Sequence, residues 1–200
     1  MKTILKKGII LLLLTGIFTT YQLNAQDDFS IGPRVGVNFS NVSNVSNSKS
    51  LTGLALGLTS TYSINETSGL TVDLLYSNEG YAVNDNKYKI AYLQIPIYYD
   101  LFFGKLGDTF RPKVYAGVQP GFLLNAKYND TEADKSSLNS VNFALTGGAG
   151  FNYKVASRIW LNLDLRAFLG LSDVSKVLAE KQANNTIQLS LGLAYGLSKL

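Results

Sequence analysis

The chain has 200 residues, no cysteine and no histidine, and only 16% of it is charged, where soluble domains carry roughly 25%. Nucleophiles that need histidine or cysteine, zinc sites with nitrogen or sulfur ligands, and disulfides are thereby excluded. The formal charge is +4, but setting aside Lys2, Lys6 and Lys7 with the leading segment leaves 15 basic residues (18 less 3) against 14 acidic ones, so the basic balance is no nucleic-acid footprint.

That leading segment has three parts. Met1–Lys7 is basic, Gly8–Phe18 is apolar, and Thr19–Ala25 is polar and ends on a small residue. The order is that of a signal peptide for export, cleaved between Ala25 and Gln26. The apolar run is shorter than the ~20 residues a membrane-spanning helix needs, and without a cysteine at the cut a lipoprotein anchor is excluded. Residues 1–25 are expected to be removed, and residues 26–200 to form one domain.

After Gln26 the hydrophobic pattern has period two, the mark of strands. Eight are predicted: Phe29–Phe39, Leu51–Tyr62, Ser68–Glu79, Tyr88–Phe103, Arg111–Lys127, Asn139–Tyr153, Ile159–Leu171 and Thr186–Leu197. In the seventh, Leu161, Leu163 and Leu165 alternate with Asn162, Asp164 and Arg166; in the eighth, Leu189, Leu191 and Leu193 alternate with Ser190, Gly192 and Ala194. Several reach the ~9–11 residues of a tilted transmembrane strand. The connections Ser40–Ser50, Gly80–Lys87, Tyr128–Leu138 and Ser172–Asn185 are expected to be long and polar, and Ser63–Thr67, Gly104–Phe110 and Lys154–Arg158 short. Antiparallel neighbours put the long connections at one rim and the short turns, with both termini, at the other. The fold expected is all-β: an eight-stranded antiparallel up-and-down transmembrane β-barrel following the cleaved signal peptide.

A soluble barrel would show the same period with its faces exchanged. Here the face opposite the leucines carries Gly, Ala, Ser, Asn and Thr rather than the Lys and Glu of a watered surface. Small residues suit the crowded interior of an eight-stranded barrel. Tyr62, Tyr99, Phe103, Phe151, Tyr153 and Tyr195 fall on the apolar face near the short-turn rim, as an aromatic girdle. The leucines are therefore assigned to lipid, and a secreted soluble binding barrel becomes the weaker alternative. The inward face carries Arg34, Lys113 and Arg166 against Asp73, Asp100 and Asp164. In so narrow a lumen these ions are expected to pair and fill it; the competing reading is a small transporter or channel that uses them.

Several segments resemble the PorT-like outer-membrane β-barrel proteins of Gram-negative bacteria. They are Phe29–Asn38, Leu74–Gly80, Tyr92–Pro96, Gly117–Leu124, Gly148–Phe151 and Asp164–Ser172, in that order over nearly the whole chain after residue 25. The resemblance implies an eight-stranded barrel in the cell outer membrane, inserted by the barrel-assembly machinery, and no single activity. Members often end on an aromatic residue, whereas this chain reads Leu197-Ser198-Lys199-Leu200. Physically, Pro96 and Pro120 each remove a ladder donor and are expected at a bulge or near a rim. Gly147, Gly148 and Gly150 would admit sharp curvature or a close interior side chain.

Chemistry is sparse. Without histidine there is no general base of the usual kind; Asp73 and Asp164 are read as ion-pair partners. Asp130, Glu132 and Asp134 lack the glycine and trailing glutamate of a calcium loop and are read as solvated. Gly104-Lys105-Leu106-Gly107 is a turn, not a phosphate loop. No catalytic residue, cofactor or metal is expected, and no nucleic-acid partner. The function expected is non-enzymatic: a structural or protein-interaction and assembly role through the long loops, with outer-membrane lipid as the other partner.

Overall fold

In the computed structural model the described residues are 29–197, apart from 46, 85, 175 and 177–181; the expected signal and its cut at Ala25 and Gln26 lie outside them. Ten strands follow in order: β1 (Phe29–Val42), β2 (Ser48–Asn65), β3 (Ser68–Val83), β4 (Asn86–Gln94), β5 (Ile97–Phe102), β6 (Phe110–Tyr128), β7 (Thr131–Glu132), β8 (Val141–Ala156), β9 (Ile159–Gly170) and β10 (Asn184–Gly196). Each is antiparallel to its neighbours. β1 pairs with β2 and β10, β10 with β9, β9 with β8 and β8 with β6, while β4 and β5 both lie between β6 and β3. The β2–β3 pairing closes the ring. With β4 and β5 counted as one stave and β7 as an appendage of β6, the wall has eight staves. Closure pairs the backbone of every stave on both sides, which is what allows strands to cross hydrocarbon.

The faces follow side-chain parity. On β2 the outward Leu54, Leu56 and Leu58 are each at least half exposed, and on β10 Ile187, Leu189, Leu191 and Leu193 all face outward. The residues between them turn in: Thr59, Asn38, Gln188, Ser190 and Asn162 are 0–2% exposed. The interior is polar and the surface is apolar, the reverse of a soluble domain.

Four expectations are corrected. The first two long connections are mostly ladder: β1 and β2 run on to Val42 and from Ser48, and β3 and β4 run on to Val83 and from Asn86. Residues 80–87 are therefore a hairpin rather than a loop, turned through Asn84 with φ 46°. Tyr81 stacks on Tyr88 (centroids 4.8 Å apart) and Tyr88 lies 5.0 Å from Tyr128, which binds this overhang to β6.

Second, the fourth predicted strand is interrupted at Ile95 and Pro96 without losing register. The Ile95 N–H donates to the Pro120 carbonyl (2.9 Å), and the Asp73 N–H donates to the Pro96 carbonyl (3.0 Å). Neither proline has an N–H to return, so two successive ladder positions are half-bonded and the stave divides into β4 and β5. Third, Pro120 sits mid-wall in the continuous β6, opposite Phe143, and not at a bulge or rim. The β6–β8 register runs through it without a shift, and the irregularity on the other side of β6 lies further along, between Ala91 and Tyr92 of β4. Fourth, Gly147 faces outward with only ordinary contact to the Tyr115 carbonyl oxygen, so it makes no room for an interior side chain.

Candidate functional site

Six charged side chains meet inside the lower half of the barrel, each no more than 3% exposed. Arg34 on β1 pairs with Asp164 on β9 (2.6 Å) and with Asp73 on β3 (3.4 Å). Arg166 on β9 pairs with the same two carboxylates, at 2.8 Å to Asp73 and 3.8 Å to Asp164. Two arginines and two aspartates thus alternate around a closed ring across the lumen. Lys113 on β6 continues it from Asp164 (3.1 Å) to Asp100 on β5 (3.6 Å).

Neutral groups occupy several of the other bonding positions, while Asp73 Oδ1 and Arg166 Nε are buried without a hydrogen-bond partner among the described residues. Tyr98 Oη donates to Asp73 (2.6 Å), Thr71 Oγ1 donates to Asp100 (2.6 Å), and Arg34 donates to Ser190 Oγ (3.0 Å) and Thr59 Oγ1 (3.1 Å). The Arg166 guanidinium lies 5.2 Å from the Tyr98 ring centroid and 5.8 Å from that of Tyr115, a second favourable contact for a desolvated cation. Every stave but β8 contributes a side chain to these contacts. β8 instead contributes Gly148 and Gly150, in register with Arg166 and Asp164. A Cβ on Gly148 would strike the Tyr115 hydroxyl, and one on Gly150 the Asp164 carboxylate. The glycines make space for the network.

Three positive and three negative charges cancel within it. Ions out of water are tolerable only when paired, and each of these six has at least one partner of opposite charge. Toward the short-turn rim Arg111 lies 4.0 Å over the Phe102 ring and donates to the Glu66 carbonyl (2.8 Å). Beside Arg111, Phe102 and Trp160 lies a hollow of about 20 Å³, room for about one water.

The upper half holds a group that the sequence reading did not single out. Glu79 on β3 is 4% exposed, and its carboxylate accepts from Gln94 Nε2, Asn184 Nδ2 and, at 3.4 Å, Ser77 Oγ. It makes no ion pair among the described residues. Beside it Asn38 donates to Ser77 Oγ (2.8 Å) and accepts from Gln188 (2.7 Å). Parity with Asp73 and Ser77 on the same strand is the signal that places Glu79 inside.

The structure also places the aromatic residues and the acidic loop. Tyr62, Tyr99, Phe103, Tyr153 and Tyr195 are exposed on the outer face and Phe151 is half-covered, 5.2 Å from Phe110. Phe29 opposes Tyr62 and Phe110 opposes Tyr153 in register, extending the aromatic row at the short-turn rim. In the acidic loop Asp130 accepts from Lys89 Nζ (2.5 Å), and that bond, with the lysine's charge, holds its carboxyl below the ordinary aspartate value. Asp134 caps the 3₁₀ turn Lys135–Ser137 by accepting from the Ser136 hydroxyl and backbone, which lower it likewise. Glu132 opposes Lys127. These acids are split among separate partners, and no group of three potential metal ligands occurs among the described residues.

A closed, polar-filled, lipid-faced barrel is the architecture of small outer-membrane proteins. Residues 22–176 match the model of the outer membrane protein beta-barrel domain family, and the chain belongs to that family. It is an outer-membrane protein. Among solved structures it is similar to Neisserial surface protein A (16% identity, 85% of this chain and 97% of that one, TM-score 0.60). It is also similar to the outer membrane protein OprG from Pseudomonas aeruginosa (16% identity, 84% and 94%, TM-score 0.51). At such identity the likeness is one of fold. Among curated protein sequences none matches the chain.

Proposed function

We propose that this chain is a non-conducting, non-enzymatic outer-membrane barrel that acts through its long-loop rim, as a structural element or as a docking and assembly partner for another protein. The observation that carries the reading is the charged ring: Arg34, Asp73, Asp164 and Arg166 close on one another across the lumen, each at most 1% exposed. An aqueous channel needs ions with water beside them, and these have side chains there instead. The absence of histidine from the sequence supports the non-enzymatic reading. The ordered motifs support a place among the PorT-like barrels, without carrying over any one member's role.

Short turns in the periplasm would set the overhanging hairpins, the connection 129–140 and the described residues between β9 and β10 outside the cell. There Tyr81, Tyr88 and Tyr128, with Ile90, Leu138 and Val174, line a hollow of about 250 Å³. Aromatic groups at an accessible rim suit protein contact. Planar-bilayer recording of the purified, folded protein tests the closed interior. No steady ion current is expected; steady unitary currents would make it a channel and overturn the reading.

A further inference from the structure

The outer wall changes character before its strands end. On β3 and β4 the outward residues run from Tyr76 and Leu93 to Asn78 and Ala91, and then to Gly80 and Lys89. Lys89 lies directly opposite Lys127 of β6, and Lys87 follows two residues on along the same face. Like charges directly opposed across a ladder repel. Asp130 neutralises one of them through its bond to Lys89, and neither Lys87 nor Lys127 makes an ion pair with any described residue. The cluster keeps an excess of one positive charge, three lysines against Asp130 and against Glu132, which stands opposite Lys127 in the ladder.

A groove of about 370 Å³ opens sideways in the wall here. The small residues Gly53 and Ala91 line it, and the pairings on either side of the β3–β4 ladder are irregular, between Ser50 and Ala55 in one and between Ala91 and Tyr92 in the other. Lys89, Lys127 and Asp130 also line it, together with Leu54 and Tyr76, which belong to the lipid-facing band. The groove is therefore cationic where the apolar band ends and apolar where the band begins. That polarity complements a lipid molecule with an anionic head.

We propose that this groove binds the phosphate-monoester headgroup of a membrane lipid, with Lys89 and Lys127 on the phosphate and the acyl chains laid along Leu54 and Tyr76. The occupied leaflet is the one at the long-loop rim, a point that rests on the orientation proposed above. Binding itself does not depend on whether the barrel conducts.

The test is native mass spectrometry of the full-length folded protein released from phosphatidylcholine nanodiscs containing a minor fraction of phosphatidic acid. The wild type is expected to retain phosphatidic acid. At about 1 kcal/mol per lysine near a charged surface, Lys89→Gln with Lys127→Gln lowers retention roughly thirtyfold. Lys105→Gln at the short-turn rim leaves it unchanged, and heat-shifted gel migration shows that each variant is folded. Raising the salt weakens wild-type retention, a readout that needs no variant. Equal retention by the double variant, equal retention of phosphatidylcholine, or displacement by an equal concentration of glycerol phosphate would each overturn the proposal, the last by showing a soluble phosphate site.

Discussion

At the scale of the residue, Arg166 shows how this barrel uses charge. It lies between Gly148 of β8 and Gln188 of β10 in register, is 1% exposed, and contacts two carboxylates and two tyrosine rings. Replacing it with methionine leaves Asp73 and Asp164 dependent on Arg34 and Lys113 alone. Breaking a buried pair from one side costs about 3–5 kcal/mol, while replacing both partners with apolar residues costs far less. Urea unfolding in phosphatidylcholine vesicles should therefore show Arg166→Met markedly destabilised and Arg166→Met with Asp73→Leu nearer the wild type; equal loss in both would show that packing, not charge balance, sets the cost. Strand parity was enough to read the six ions as sharing one interior. Their partners were not legible, because Arg34 and Asp164 stand 130 positions apart and meet only when β1 and β9 take their places in the ring. Glu79 has the right parity too, but it carries no opposing charge that would mark it in a sequence.

At the scale of the element, the strands outrun their hydrophobic pattern. Alternation of apolar residues ends near Phe39 and resumes near Leu51, yet the ladder continues to Val42 and restarts at Ser48. Lipid selects side chains only over the height of the hydrocarbon, whereas backbone pairing continues above it. Periodicity therefore reports the membrane band rather than the strand, and the hairpin at residues 80–87 reads as a loop. The divided stave has a similar cause: the prolines are plain in the sequence, but which positions they oppose depends on register. Restoring one donor tests this directly. Pro120→Val supplies an N–H for the Ile95 carbonyl, and one net hydrogen bond is worth about 0.5–1.5 kcal/mol. The expected result is a higher urea midpoint with slowed exchange of the Ile95 amide; a lower midpoint would show that the proline ring, opposite Phe143 in the ladder, contributes more than the restored bond.

At the scale of the whole molecule, one choice of face organises everything else. With leucines outward the wall meets acyl chains, the small polar residues fit a narrow lumen, the ions pair, and the lysines at the upper edge stand where lipid heads begin. The single tryptophan offers a direct probe, because Trp160 is 6% exposed on the inner face while Leu165, of opposite parity on the same strand, is 57% exposed. Fluorescence should be recorded in vesicles containing brominated acyl chains, for the wild type and for Trp160→Phe with Leu165→Trp. The emission of Trp160 is expected to stay unquenched and that of the new tryptophan to be strongly quenched. Quenching of Trp160 with a silent tryptophan at position 165 would mean that the faces are reversed.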